Sequence, residues 1–140
     1  YLLLALAVAG AAAVILTRFV PALHELYPSA GGLPAAIQVR FAGYRLLWTI
    51  SWLTGWEFMH RYMLLRPFEG RGLLPVLILV PALEGLYHVG QKPSAWLEAL
   101  GMVVFSVLLC WWTLKRRNAL LPFIAHGLVE TELLLFQLFV

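Results

Sequence analysis

The chain has 140 residues, of which 62% are hydrophobic and only 12% charged, and its net charge is +3. A soluble domain carries about 25% charged residues, so this surface cannot all face water, and lipid is its natural solvent. The basic residues lie at segment ends rather than in one patch, which indicates contact with lipid headgroups and no nucleic-acid partner. The single cysteine, Cys110, excludes an internal disulfide.

Five apolar segments are each close to the ~20 residues that a helix needs to cross a bilayer. None of them alternates with a period of two, so we expect an all-α, polytopic transmembrane helix bundle rather than strands. The chain begins at Tyr1 and not at Met, so we expect further sequence upstream. We interpret the first segment as a spanning helix and not as a signal peptide. The segments cover roughly 1–17, 43–65, 72–89, 95–114 and 119–140.

The stretch 18–40 differs from these segments because its prolines and glycines predict a loop or short interfacial helices. We therefore divide the chain into an N-terminal part, 1–42, with one span and this interfacial stretch, and a four-helix core, 43–140. Turns at 66–72, 90–94 and 115–118 separate the core helices. Basic residues are densest on the face that bears the first and third turns, which predicts that this face is cytoplasmic.

Ionisable side chains within the bilayer cost about 2.5–3.5 kcal/mol each, so they persist where they pair, line a wet cavity or do chemistry. In the second segment Glu57 and Arg61 are four residues apart and share a helix face, with His60 beside them. A self-satisfied ion pair is one interpretation. In the third segment Glu84 and His88 share a face in the same way, although His88 is also close enough to the segment end to lie at the interface.

The fifth segment places His126 and Glu130 four residues apart on one face. Three helices thus each bring a polar pair into the membrane, which favours one shared polar cavity. One Glu and two His side chains are the composition of a water-activating site, either without a metal or with a divalent metal such as zinc. The spacing is not that of the HExxH helix, in which one helix supplies both His ligands.

The order and spacing of these pairs resemble the CAAX proteases and bacteriocin-processing enzymes, the CPBP or Abi family of intramembrane endopeptidases. The family motifs read Glu-Glu-x-x-x-Arg, Phe-x-x-x-His and His-x-x-x-Asn on successive helices. This chain offers Trp56-Glu57-x-x-x-Arg61, Glu84-x-x-x-His88 and His126-x-x-x-Glu130. The residues that follow His88, namely Lys92, Pro93 and then Glu98, also resemble a subgroup with Gly-Lys-Pro and a later Glu.

The resemblance implies an integral protein of the prokaryotic cytoplasmic membrane that hydrolyses a prenylated or leader peptide with activated water. By position, Glu57 is the expected general base, and His88 holds that water or helps to protonate the leaving amine. His126 is expected to stabilise the oxyanion, and Arg61 to orient Glu57. A metal held by Glu57, His88 and His126 is the mechanistic alternative.

Three departures from the family pattern keep other functions open. Trp56 stands where the family has its first Glu, Glu84 replaces a Phe, and Glu130 replaces an Asn. An ionised Glu130 only accepts hydrogen bonds, whereas the amide of an Asn also donates them. Either Glu57 takes over as the base, or the protein is a non-proteolytic binding or immunity partner. An unrelated proton or ion transporter is a further alternative, although transport predicts repeats that the sequence lacks.

Helix depth is a separate constraint on this site. At a rise of 1.5 Å per residue, Glu57 and His126 come out at similar depths in straight spans, whereas His88 comes out nearer the opposite face. We therefore expect the three side chains to converge only if the third helix tilts or is shifted along its axis.

Overall fold

The computed structural model describes residues 2–68, 70, 72, 74–91 and 96–139, and this part of the chain contains α-helices and no strand. The all-α class expected from the sequence is thereby confirmed. The five expected segments each correspond to a long helix, and one short helix lies between the first two. The helices are α1 Leu2–Phe19, α2 Pro21–Leu26, α3 Ala35–Glu57, α4 Leu74–Gln91, α5 Trp96–Arg116 and α6 Leu120–Phe139.

Two of the described helices, α5 with 21 residues and α6 with 20, are long and apolar enough to cross a membrane. Shorter apolar stretches lie within α1 and α4. Large apolar side chains are exposed on several helices, among them Leu47 at 69%, Leu86 at 67% and Val104 at 62%. Such exposure suits a lipid solvent, and five remains an approximate number of spans.

Helix α3 begins at Ala35, earlier than the expected start of the second segment at residue 43. Pro34 starts this helix, because its carbonyl accepts the Gln38 N–H (3.0 Å) as the first turn closes. The Gln38 side chain also donates to the Gly31 carbonyl (2.9 Å), which fixes the preceding loop. The interfacial stretch is therefore shorter than the sequence suggested, and it holds the helix α2.

The turns between the core helices agree only in part with the expected ones. The first turn opens with a single 3₁₀ turn, Arg66–Phe68, and uses positive φ at Gly70 (81°) and Gly72 (101°), a conformation that favours glycine. The second turn was expected from residue 90, but α4 continues to Gln91. Five residues of these turns lie outside the described part of the chain: Glu69, Arg71, Lys92, Pro93 and Ser94.

The helices fall into two compact units, of which one comprises residues 1–54 and 124–140. This unit holds α1, α2, most of α3 and most of α6. The Ala30 N–H donates to the Gln137 carbonyl (2.6 Å), and the Gln137 side chain donates to the Pro28 carbonyl (3.5 Å). These bonds join the loop after α2 to the end of α6. Gly10 of α1 faces Glu132 of α6, where any larger side chain would collide with the carboxyl group.

The second unit comprises residues 55–123 and holds the end of α3 together with α4 and α5. Its two long helices approach closely at Gly85, where an added Cβ would lie 2.5 Å from the Val103 side chain. Small residues permit such close approach between membrane helices. Leu65, Val80 and Cys110 form a buried apolar cluster in the same unit. The division 1–42 and 43–140 expected from the sequence stays a prediction.

Candidate active site

Helix α3 continues into a π-helical turn, Phe58–Met63, at the point where its polar residues lie. The Leu64 N–H donates to the Met59 carbonyl (2.9 Å), the i to i−5 pattern of a wider turn. Such turns are rare and often occur at functional sites. Within this turn His60 and Arg61 are both buried. Nothing in the sequence spacing predicted the widened turn.

Arg61 binds two carboxylates at once. Its Nε lies 3.2 Å from Glu57 Oε2, so the ion pair expected from the i, i+4 spacing is present. Its Nη1 and Nη2 donate to the two oxygens of Glu84, the second at 3.0 Å. This bidentate geometry is the strongest arrangement for an Arg–carboxylate pair. The sequence places Glu84 on the same helix face as His88, and in the structure the Glu84 carboxylate binds Arg61.

Helix α5 completes this cluster with two residues that the sequence analysis missed as site residues. Ser106 Oγ donates to Glu84 Oε1 (2.9 Å), and Arg61 Nη1 donates to Ser106 Oγ (3.3 Å) and to Cys110 Sγ (3.2 Å). Ser106 and Cys110 are four residues apart and fully buried, so one face of α5 meets the Arg61 side chain. With both acids ionised, the buried cluster carries one more negative charge than positive.

His88 lies in the last turn of α4 and is 8% exposed. Its Nδ1 is 3.4 Å from Glu98 Oε1, in the first turn of α5. Its ring meets the edges of Trp56 and Tyr87, with centroid distances of 6.3 and 5.9 Å. Since Trp56 immediately precedes Glu57, His88 is buried beside the end of α3 rather than open to an interface.

Trp56 fills the position at which the resembled motif has an acid. Its ring packs on those of His60 (4.2 Å between centroids) and Tyr87 (4.8 Å) as well as against His88. His60 Nδ1 lies 2.8 Å from the Trp56 carbonyl. A carbonyl only accepts, so this nitrogen carries a proton. The sequence indicates His60 as a supporting residue of the site, a role that stays a prediction, and the structure shows it bonded to the backbone one turn earlier.

His126 belongs to the other unit and is 2% exposed on α6. Its ring meets Trp52 edge-on, with 5.8 Å between centroids and 84° between planes. The following Gly127 lies against Leu53. Glu130, one turn further along α6, is half-buried. The role expected of His126, to stabilise an oxyanion, stays a prediction.

Within the described residues, no group of three or more His, Cys, Asp or Glu side chains is placed to hold a metal ion. Both acids of the buried cluster face the guanidinium of Arg61, whose positive charge opposes a cation there. The expected metal set of Glu57, His88 and His126 stays a prediction.

These features define a helical membrane protein with a buried Glu–Arg–Glu cluster and a buried histidine that is paired with a partly exposed glutamate. The family model for Type II CAAX prenyl endopeptidase, Rce1-like, matches residues 41–131, well over half of the chain. The chain belongs to this family of membrane-embedded proteases. Comparison with curated proteins and with solved structures gives no match. The matched range includes every candidate site residue named above.

Proposed function

We propose that this protein is an intramembrane endopeptidase that uses activated water to cleave a peptide bond in a prenylated or leader peptide. Water adds to the peptide carbonyl, the C–N bond breaks, and the amine leaves with a proton. The observation that supports the proposal most is His88, a buried imidazole paired with a carboxylate inside the family-matched range.

In this mechanism Glu57 is the general base that removes a proton from the attacking water. General-base catalysis is typically worth 10²–10⁴-fold in rate, or roughly 3–5 kcal/mol of barrier. Arg61 orients the Glu57 carboxylate through its Nε, because its two other nitrogens are held by Glu84. Ser106 fixes Glu84 in turn by a hydrogen bond, so the ion pair of the base with Arg61 is supported by a second layer of side chains.

The roles of His88 and His126 complete the proposal. His88 holds the attacking water or protonates the leaving amine. His126 stabilises the tetrahedral oxyanion, a role carried over from the resemblance and tested on its own below. Exposed apolar helix surfaces give a prenyl group or an apolar leader a lipid route to the protein.

Cleavage by the purified full chain in liposomes tests this proposal. The panel contains a farnesylated CAAX peptide, the same peptide without its lipid, and a bacteriocin-type leader peptide, all incubated in ¹⁸O-labelled water. We expect one of these peptides to give two products, with ¹⁸O in the new carboxylate. Folded protein that cleaves none of them, at several protein-to-lipid ratios, would contradict the proposal.

A specific observation favours a second candidate, a non-catalytic member that binds the peptide. Trp56 replaces an acid of the family motif and is packed among aromatic rings, and Glu57 is held in an ion pair. This candidate predicts saturable binding of a panel peptide with no product over long incubation. Product formation by the parent chain would exclude it.

A further inference from the structure

Glu98 is an acidic residue that the proposed mechanism does not use. It lies in the first turn of α5, with a side chain that is 22% exposed, and its Oε1 faces His88 Nδ1 at 3.4 Å. The His88 side chain is 10% exposed. The Glu98 carboxylate thus faces a buried imidazole.

The chemistry of the pair fixes where the His88 proton lies. An ionised carboxylate only accepts hydrogen bonds, so the nitrogen that faces it is the one that carries a hydrogen. In a neutral imidazole the other nitrogen, Nε2, then presents a lone pair. The distance of 3.4 Å is longer than an ideal bond, and hydrogen bonds in unliganded catalytic sites are often long and tighten with substrate.

The second observation concerns Nε2 itself. This nitrogen is buried and has no hydrogen-bond partner among the described residues. The edges of Trp56 and Tyr87 hold the ring in place, at 75° and 86° to its plane. A buried polar atom in a folded protein nearly always has a partner. An oriented imidazole with an unshared acceptor is therefore suited to bind a donor that is not a side chain.

We propose that Glu98 is a positioning residue that holds His88 as the Nδ1–H tautomer, so that Nε2 accepts a hydrogen bond from the attacking water. The inference rests on the proposed function and decides between the two roles left to His88. It assigns this ring to hold the water and not to protonate the leaving amine. Glu57 remains the group that takes the proton from the water, and it then passes this proton to the leaving amine.

The tautomer is measured directly by NMR of the full chain in detergent micelles, with ¹⁵N in the histidine rings and at mildly alkaline pH. The His88→Gln variant identifies the His88 signals among those of the four histidines. We expect a protonated Nδ1 and a pyridine-like Nε2 in the parent chain. In Glu98→Leu the population should move toward the Nε2–H form, whereas Glu98→Gln keeps an acceptor oxygen and should retain the Nδ1–H form.

A parent spectrum that shows His88 as Nε2–H, or as a doubly protonated imidazolium, would overturn the inference. An unchanged tautomer in folded Glu98→Leu would also overturn it. The parent spectrum decides the tautomer by itself, so the test stands even if Glu98→Leu does not fold. Glu25→Leu is the matched control, since Glu25 is an exposed acid of α2, and it should leave the His88 signals unchanged.

Cleavage kinetics give the second readout. In metal sites, loss of a carboxylate that orients a ligating histidine typically costs 10–100-fold. By analogy, we expect kcat of Glu98→Leu to fall by about 10–100-fold. KM should change little, and Glu98→Gln should recover part of the loss. Equal activity in Glu98→Leu and the parent would reject the positioning role. If the parent chain cleaves no peptide, the proposed function is wrong. The NMR result then still decides whether Glu98 holds His88 as the Nδ1–H tautomer.

Discussion

The buried cluster around Arg61 makes a sharp prediction about stability. The Arg61 and Glu84 side chains are 0% exposed, and Glu57 is 3% exposed. Arg61→Met removes the only positive charge of the cluster and leaves both carboxylates in place. Removing one partner of a buried ion pair costs about 3–5 kcal/mol. Because both acids lose the guanidinium here, we expect a loss at or above that range.

Glu84→Gln breaks the same bidentate ion pair but should cost less. The amide oxygen of Gln still accepts hydrogen bonds from Arg61 and Ser106, and Arg61 keeps Glu57 as its counter-ion. Weakening charge-assisted bonds without leaving a bare charge costs roughly 1–3 kcal/mol. The double variant Arg61→Met/Glu84→Met should be more stable than Arg61→Met alone. The second substitution replaces the buried carboxylate of Glu84, which has lost its ion pair, with an apolar side chain.

Equilibrium unfolding in mixed micelles, with SDS as the denaturant, measures these differences. Arg40→Met is the matched control, since Arg40 is an exposed residue of the same helix α3, and its unfolding free energy should stay near that of the parent. The reasoning fails if Arg61→Met is as stable as Arg40→Met. It also fails if Glu84→Gln is less stable than Arg61→Met.

Three further predictions concern packing, chemistry and topology. Gly85→Ala should destabilise the chain by about 1–3 kcal/mol, since its Cβ meets Val103 at 2.5 Å, and Val103→Ala should restore the stability measured by the same unfolding assay. His126→Ala should lower cleavage by about 10²–10³-fold if it stabilises the oxyanion, whereas unchanged turnover would remove it from the mechanism. In a Cys110→Ser background, Asn118→Cys should resist an impermeant thiol reagent added outside intact cells, and labelling would place the 115–118 turn outside.

The sequence predicted the long helices well because apolar runs of spanning length leave few other folds. It was less accurate at the helix ends. Pro34 starts α3 before the apolar run begins, and α4 continues through Gly90 to Gln91 despite the turn-like composition there. The π turn at Phe58–Met63 could not be predicted, because a widened turn leaves no mark in residue spacing.

The site could be predicted only within single helices. The Glu57–Arg61 ion pair follows from the i, i+4 rule, and the structure contains it. The bond from Arg61 to Glu84 depends on how α4 is shifted along α3, which spacing does not encode. Ser106 gave no signal at all, since a lone serine in an apolar helix usually bonds its own backbone. The convergence expected of Glu57, His88 and His126 stays a prediction.

The measurement that tests the central claim most directly compares peptide cleavage by Glu57→Gln and Glu84→Gln. Both variants remove one negative charge from the same cluster, and in both Arg61 keeps one carboxylate partner, so both should fold. If Glu57 is the general base, cleavage per folded molecule should fall by roughly 10²–10⁴-fold in Glu57→Gln and much less in Glu84→Gln. Equal cleavage by Glu57→Gln and the parent chain would contradict the account.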